Sequence, residues 1–189
     1  MTAPFRAALG AAFDALPPTL QEFHGGGDAT RCFRGRAEVI RGSGALARVA
    51  CWFGGFPPAA SECAFAVTVH SSPQGEIWER RFNTWLTRSA LSYDAGTGTL
   101  GERFGAVSFV LNLRPIDGGL AMDVARARVV GLIPLPQSLT PESAVRIWQD
   151  EAQRYRFDIG VRIAGRRIVR YRGWVVQDAA PAVRARTAR

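Results

Sequence analysis

The sequence contains no lysine, and all 24 of its basic residues are arginine. Without lysine there is no amine for a Schiff base with pyridoxal and no phosphate-loop lysine, so pyridoxal enzymes and P-loop NTPases are excluded. Histidine and cysteine are also scarce, with two and three residues respectively. The cysteines lack the CxxC or similar spacing of metal ligands and disulfide frameworks. We therefore predict no metal site and no cofactor.

Long apolar runs are absent as well. No stretch approaches the roughly 20 apolar residues that span a bilayer, so no transmembrane segment is predicted. Asp14 interrupts the first apolar run before an export signal is complete, and we expect a cytoplasmic protein. The length of 189 residues suits a single β-rich domain over residues 1–177. Residues 178–189 consist mostly of Ala, Pro, Arg and Thr, which predicts a disordered basic tail.

The formal net charge of +8 would suit a nucleic-acid ligand. The arginines, however, are spread along the whole chain and form no stripe, and no stacking motif stands out. We therefore predict no nucleic-acid partner.

Helical spacing appears in two places. Apolar residues three and four apart within residues 4–16 predict a helix that ends at Pro17-Pro18. A short segment follows, ending at His24 and three glycines. Residues 46–53 return to helical spacing after a strand that begins at Thr30, and predict a second helix.

The rest of the chain reads as strands and turns. Predicted strands cover residues 64–71, 76–92 as one long strand, 100–104, 107–113, 120–124, 143–150, 155–163 and 168–175. The two prolines of residues 131–136 exclude that segment from a sheet interior, so it must cross an edge or an end. The predicted fold is mainly β (α+β by content): a curled antiparallel meander sheet of about eight or nine strands, forming a barrel or half-barrel with one or two N-terminal helices packed on or into it. A two-layer β-sandwich is the alternative.

Two predicted strands place arginine among apolar side chains. Alternation puts Ile168, Arg170, Arg172 and Trp174 on one face of the last strand, and Val169, Tyr171, Gly173 and Val175 on the other. In the long strand Trp78, Arg80 and Phe82 share a face. Such arginines fit a cavity wall or an interface, and because burial of an unpaired charge is costly, they require an anion.

Two interpretations of this pattern remain open. If the arginines converge in a cavity, a ligand supplies the anion. The candidate ligand-binding residues are then Arg80, Arg170 and Arg172 for the head group, Trp78, Phe82, Tyr171 and Trp174 for the apolar part, and His24 near the barrel mouth. Otherwise the arginines pair internally with Glu38, Glu79 or Glu151, or stack on tryptophan in solvent.

Catalytic residues are harder to find. His70 lies in a predicted strand near a turn and is best explained as a surface residue. His24 is the better candidate for a base, with a carboxylate as its partner. Asp158 shares a strand face with Arg156 and Arg162, which favours cross-strand ion pairing over acid–base chemistry. We assign no catalytic residue.

Several short segments occur in a characteristic order along the chain: Leu16-Pro17-Pro18 with His24, Phe33-Arg34-Gly35, residues 39–44, Phe56-Pro57-Pro58, residues 78–82, residues 131–136, Arg156-Phe157-Asp158 and residues 170–174. This ordered set resembles a known bacterial family, the domain of unknown function 4166. The resemblance covers roughly residues 13–176. The family has no established activity, so the resemblance supplies no catalytic residue. It implies a context, because similar domains also form the C-terminal part of chains whose N-terminal part is a saccharopine-dehydrogenase-like reductase.

Three functional hypotheses follow. The first is a non-catalytic binding or accessory domain that holds an amphipathic anionic small molecule, such as a fatty acid or lipid-like carboxylate, in a sheet-lined cavity. The second is an interaction module that docks on a separate reductase through the arginine-aromatic face. The third is an enzyme of unfamiliar type that uses His24 and a carboxylate.

Overall fold

The computed structural model describes residues 3–27, 30–129, 133–134 and 140–178. The helices are α1 (Pro4–Leu9), which continues as a 3-10 turn over Gly10–Phe13, α2 (Pro18–His24) and α3 (Gly44–Phe53). The strands are β1 (Thr30–Arg41), β2 (Ala60–Ser72), β3 (Gly75–Phe82), β4 (Trp85–Asp94), β5 (Thr99–Phe104), β6 (Val107–Ile116), β7 (Gly119–Val129), β8 (Ile133–Pro134), β9 (Glu142–Gln149), β10 (Tyr155–Ile163) and β11 (Arg166–Gln177).

The strands form a closed antiparallel barrel. Strands β1 to β7 pair in chain order, β7 pairs with β9, and β9, β10 and β11 continue the meander. The pairing of β11 with β1 closes the circle of ten strands, while the short β8 pairs with the end of β7. The predicted barrel is thus confirmed, and the two-layer sandwich does not form. Closure pairs the strand edges that an open sheet would expose.

The strand count differs from the prediction at one hairpin. The long strand predicted over residues 76–92 is wrong, because β3 and β4 are separate strands joined by Asn83 and Thr84. Asn83 adopts a left-handed backbone (φ 49°), which asparagine tolerates well. Its backbone N–H donates to the Ala64 carbonyl at 2.9 Å, and its side-chain Oδ1 accepts from the Ala64 N–H at 3.0 Å. No glycine or proline marks this turn, so the sequence shows no break between the two strands and predicts a single long one.

The N-terminal helices close one mouth of the barrel. We call residues Pro4–His24 the plug. The ring of Phe23 lies 4.0 Å from that of Tyr155 on β10, 4.4 Å from Phe33 on β1 and 5.3 Å from Trp78 on β3, measured between centroids. Because these strands belong to different parts of the wall, Phe23 lies inside the mouth. One or two N-terminal helices packed on or into the barrel were predicted, and the plug supplies two, α1 and α2, at this mouth.

Helix α3 connects β1 to β2 and therefore lies at the opposite end, which we call the α3 end. Ala47 and Cys51 are its buried residues. The Cys51 thiol approaches the Ile168 carbonyl at 3.5 Å, and the Gly42 N–H donates to the same oxygen at 2.8 Å. These contacts connect α3, and Gly42 just before it, to the start of β11.

Some sequence predictions fall on chain that the structure does not describe. Of the proline segment at 131–136, only Ile133 and Pro134 are described, and they pair at the end of β7. The N–H of Asp178 donates to the Cys32 carbonyl at 2.8 Å, whereas the remainder of the predicted tail, 179–189, lies outside the described residues. Within the described residues, no helix has the length and apolar character needed to span a bilayer.

Two glycines allow β1 and β11 to approach closely. A Cβ at Gly35 would lie 1.8 Å from the Trp174 carbonyl oxygen, and one at Gly173 would lie 2.1 Å from the Arg36 carbonyl oxygen. Both contacts are far inside van der Waals distance, and both involve backbone that cannot rotate away. Glycine at these positions is therefore required by the β1–β11 pairing that closes the barrel.

We predict that Gly35→Ala destabilises the protein by about 1–3 kcal/mol or more, because a methyl group forced into packed backbone strains it. Urea unfolding measures the loss. Gly160→Ala in β10 is the matched control, since its Cβ would meet nothing nearer than the Ala144 carbonyl oxygen at 3.9 Å. Equal stability of the two variants would contradict this account of the closure.

Candidate functional site

Alternation in the closed barrel divides the predicted site residues into two groups. The inner group, which is buried, comprises Trp78, Arg80, Phe82 and Tyr171 in the wall and His24 in the plug. The outer group, which shares the opposite face of β11, comprises Arg170, Arg172 and Trp174. The structure therefore does not bring the three arginines together in one cavity, because Arg80 lies inside the wall and the other two lie outside it.

Arg80 meets its anion within the barrel. Its Nη1 donates to Ser89 Oγ at 2.7 Å and its Nη2 donates to Glu102 Oε1 at 3.0 Å. Ser89 Oγ donates in turn to Glu102 Oε1 at 2.7 Å, which closes the triad. The sequence predicted an anion beside this arginine, but the acids considered were Glu38, Glu79 and Glu151. The actual partner is supplied by β5, two strands away.

The inner aromatic residues are packed against one another. The Phe82 ring lies 4.6 Å from Phe65 and 5.5 Å from Tyr171, between centroids. Burial raises the pKa of Tyr171 and keeps its hydroxyl neutral. Trp78 Nε1 donates to Glu76 Oε2 at 2.9 Å, so its polar atom is satisfied. These side chains build the core of the barrel wall.

His24 is fully buried at the end of α2. Its Nε2 lies 3.0 Å from Tyr155 Oη, and its ring lies 3.9 Å from that of Phe5. Its Nδ1 is buried and makes no hydrogen bond to any described residue. Burial, and then the positive charge of Arg31, lowers the pKa of His24 to about 3. Such a ring stays neutral at physiological pH, and it has no exposed surface at which to meet a substrate.

A second buried ion pair holds the plug in the barrel. Arg31 Nη2 lies 2.6 Å from Glu76 Oε1, with the two side chains only 4% and 1% exposed. Arg31 Nη1 also donates to the carbonyls of Phe23 at 2.7 Å and Glu22 at 3.2 Å, at the end of α2. A cation at a helix C-terminus satisfies free carbonyls and interacts favourably with the helix dipole. This pair was not predicted from the sequence, although Arg31 follows the plug by only a few residues.

The outer arginines pair with acids across the strands. Arg170 Nε donates to Asp158 Oδ1 at 2.8 Å, and a second, shorter contact joins Arg170 Nη2 to Asp158 Oδ2. These hydrogen bonds hold the pKa of Asp158 below its usual value. Arg172 Nε lies 2.5 Å from Glu38 Oε2. The cross-strand pairing predicted for Asp158, and the pairing with Glu38 considered for the arginines, are thus present.

Ile168 departs from the predicted alternation. The ladder between β10 and β11 pairs Arg162 with Arg167 and Val161 with Val169, so Ile168 is skipped. It is fully buried rather than exposed beside Arg170. A bulge of this kind adds one residue to one strand and changes the face on which side chains lie.

Strand register aligns arginines and tryptophans on the outside of the barrel. One row across β9, β10, β11 and β1 reads Trp148, Arg156, Trp174 and Arg36. With Arg172 in the next row, these residues line a surface groove of about 510 Å³. We call Arg36, Trp148, Arg156, Arg172 and Trp174 the arginine–tryptophan face.

Cation–π contacts extend this face at its margins. The guanidinium of Arg154 lies 4.9 Å from the Trp174 ring centroid, and that of Arg146 lies 5.6 Å from Trp148. Arg146 forms no ion pair with any described residue. Trp148 was not predicted as a site residue because its strand has no arginine that lies between two large apolar residues on one face. Only the register across the sheet brings it beside Arg156.

Metal binding finds no support in the described part of the chain. There, no three His, Cys, Asp or Glu side chains lie close enough together to hold a metal ion. The three cysteines are free thiols, and Cys51 and Cys63 are buried. Burial raises the pKa of the Cys63 thiol, so the reactive thiolate form is disfavoured.

Burial of His24 predicts a pH-dependent stability. Its pKa is about 3 in the folded chain against an ordinary value of 6.5, so between these values the unfolded state binds the extra proton. The contribution of His24 to stability is therefore fully present above pH 6.5, falls by about 1.4 kcal/mol for each pH unit below that, and stops falling near pH 3, where the folded chain also binds the proton. Urea unfolding of His24→Phe should show a shallower decline than the parent chain, while His70→Gln keeps the parent slope. Parallel curves for parent and His24→Phe would contradict this.

Comparisons with known proteins place the chain in a family. The family model described as "Domain of unknown function (DUF4166)" matches residues 16–175, which is most of the chain. A search of curated proteins and a search of solved structures each found no significant match. The matched segment begins within the plug and ends in β11, so it includes every strand of the barrel. The chain belongs to the family of the domain of unknown function DUF4166.

Proposed function

We propose that this protein is a non-catalytic binding or accessory domain that docks on a partner protein through the arginine–tryptophan face. The observation that carries the proposal is the register row of Trp148, Arg156, Trp174 and Arg36 around an open groove. Tryptophan and arginine are among the residues most enriched at the positions that dominate binding energy in protein interfaces. Both tryptophans are half-buried, so their rings are fixed before a partner arrives.

The arginines of this face can exchange their present acidic partners for acids on a partner protein. Arg36 lies 3.5 Å from Glu62 in an exposed pair, and Arg156 lies 3.8 Å from Asp150 in a longer, partly buried contact. Exposed pairs of this kind contribute only about 0–1 kcal/mol to stability, so an arginine can turn to a partner carboxylate at little cost. Arg146 adds a guanidinium without an acidic partner in the described structure. An acidic surface is the complementary partner.

A separate saccharopine-dehydrogenase-like reductase is the proposed partner class. The support is the family context, in which similar domains also occur fused behind such a reductase. A domain that is fused to an enzyme in some chains is often a domain that docks on it in others. The arginine–tryptophan face would then contact an acidic surface of the reductase.

A second candidate uses the same face for a small ligand. An amphipathic anion, such as a fatty acid or lipid-like carboxylate, would replace Glu38 beside Arg172 and lay its apolar part on Trp174. The groove that both residues line favours this candidate. The interior offers less support, because Glu102 and Ser89 already satisfy Arg80 and because Trp78, Phe82 and Tyr171 pack within the core.

The third hypothesis, catalysis by His24, has the weakest support. The ring is fully buried between Phe5, Phe23 and Trp78. The nearby carboxylate of Glu76 is committed to Arg31 and Trp78. A general base must reach the proton that it removes from a substrate, and this ring is enclosed.

Affinity for the reductase tests the docking proposal. A saccharopine-dehydrogenase-like reductase from the same source is purified, and its binding to the full chain is measured by calorimetry. We expect Trp174→Ala to weaken binding at least tenfold, because it removes an interface ring of the size that dominates binding energy. Arg114→Ala on β6 is the control, since this exposed arginine lies outside the face. Undetectable binding, or equal affinity for both variants, would exclude docking through this face.

Titration with oleate separates the second candidate from the first. Binding of free oleate that Arg172→Ala weakens tenfold, without reductase binding, would establish the small-ligand candidate. If Arg80→Ala abolishes oleate binding and Arg172→Ala leaves it intact, the ligand instead binds inside the barrel. In that case a fluorescence unfolding curve must show that Arg80→Ala is folded.

A further inference from the structure

The exposed apolar side chains are concentrated at the α3 end of the barrel. Trp52 and Phe53 in the last turn of α3 are 76% and 78% exposed, and their rings lie 4.7 Å apart. The other large apolar side chains exposed at this end are Leu46, Val49, Trp85 and Leu86. Among the described residues, only Ile77 and Val176 are exposed large hydrophobics that lie elsewhere. We call Leu46, Val49, Trp52, Phe53, Trp85 and Leu86 the apolar tip.

Hydrogen bonds hold the apolar tip together. Trp85 Nε1, at the start of β4, donates to the Gly55 carbonyl just after α3 at 2.9 Å. Arg41 Nε donates to the Pro57 carbonyl at 2.8 Å, and its Nη2 donates to the Phe56 carbonyl at 2.5 Å. The helix, its following loop and the β3–β4 hairpin therefore form one fixed surface. The exposed rings are held in place rather than carried on a free loop.

The exposed arginines of this end have no acidic partner within the described chain, unlike most of those elsewhere on the barrel. Because neighbouring strands are antiparallel, the ends of β3, β5, β7 and β10 and the start of β11 lie on the same rim as α3. The exposed arginines on this rim and on α3 are Arg48, Arg81, Arg103, Arg126, Arg128, Arg162, Arg166 and Arg167. None of them forms an ion pair within the described chain.

The arginines of the rest of the barrel are mostly paired. Arg6 pairs with Asp14, Arg114 pairs with Asp123, and Arg154 pairs with Asp150 toward the plug end. The acids on the α3 rim are few, with Glu62 engaged by Arg36 and Glu142 at the start of β9. The net charge of +8 is therefore not evenly distributed over the molecule. Eight exposed arginines without an ion pair in the described chain lie at the same end as the apolar tip.

We infer that the α3 end is a docking surface for an anionic lipid membrane. In this arrangement Trp52 and Phe53 enter the headgroup region while the rim arginines contact anionic headgroups. Tryptophan and phenylalanine on one side of a helix, with basic residues around them, are typical of surfaces that lie in the membrane interface. Basic side chains near an anionic leaflet each add to the attraction, and their effects act together.

Charge placement favours a membrane over a macromolecular partner. The rim arginines extend around a barrel end rather than along a groove, so a broad anionic surface contacts more of them at once than a peptide or a duplex does. The apolar tip projects from that same end on α3. The proposal concerns a surface separate from the arginine–tryptophan face, so each can fail without the other.

Vesicle co-sedimentation tests the inference with the full chain. The probes are large unilamellar vesicles of phosphatidylcholine with 30% phosphatidylglycerol, and vesicles of phosphatidylcholine alone, at the same salt concentration. We expect at least tenfold tighter binding to the anionic vesicles. Raising the salt concentration should weaken this binding, since exposed charges are screened. Tryptophan emission should shift to the blue on binding as Trp52 leaves water.

Variants with matched controls test whether vesicle binding occurs through the α3 end. We expect the double variant Trp52→Ser/Phe53→Ser and the triple variant Arg48→Gln/Arg81→Gln/Arg167→Gln each to weaken binding to anionic vesicles at least tenfold. The controls are Ile77→Ser/Val176→Ser for the apolar residues and the triple variant Arg6→Gln/Arg34→Gln/Arg114→Gln for the charges, which should bind like the parent chain. Trp174→Ala should also bind like the parent chain. All variants retain the C-terminal arginines.

Three results would overturn the inference. The first is absence of binding to anionic vesicles. The second is binding that the Trp52→Ser/Phe53→Ser variant retains in full while its unfolding curve matches that of the parent chain. The third is retention on duplex DNA or on an acidic protein that the α3-end variants abolish, with no vesicle binding, which would assign this end to a macromolecular partner instead.

Discussion

The structure depends on one constraint, which is that charge enclosed by a closed sheet must be neutralised inside it. Two ion pairs meet this requirement, Arg31 with Glu76 beneath the plug and Arg80 with Glu102 in the wall. Removing one partner from a buried pair leaves a charge that water cannot reach, which commonly costs about 3–5 kcal/mol. The first pair also binds the last carbonyls of α2. Barrel interior and plug are thus stabilised by the same side chain.

On the outside of the barrel the constraint is absent, and arginine serves other purposes. Arg170 and Arg172 pair with acids on neighbouring strands, and the register places Arg36 and Arg156 beside tryptophans. The rim near α3 holds arginines that have no acidic partner among the described residues. A protein without lysine thus uses arginine in three environments: the barrel interior, the arginine–tryptophan face and the rim near α3. The guanidinium suits all three because it keeps its proton and its charge, and because it stacks on aromatic rings.

The sequence predicted the barrel well because alternation and turns are local properties. The faces of β11 are correct from Val169 to Val175, since a strand reverses its side chains at each residue. Two local errors have structural causes. Asn83 turns the chain without glycine or proline, and the bulge at Ile168 shifts one residue out of the ladder. The partner of Arg80 was not predictable, since Glu102 is brought to it only when β4 pairs with both of their strands.

The sequence by itself determined the antiparallel meander, the alternation of faces along most of the strands, the first helix and the absence of lysine chemistry, because these depend on residue type and near neighbours. Only the tertiary structure decided which face of each arginine strand is the inside. It separated Arg80 from Arg170 and Arg172, buried His24 against Phe5, and gathered Trp52 and Phe53 with the unpaired arginines at one end. The physical reason is that closure of the sheet sets long-range distances, which no local pattern encodes.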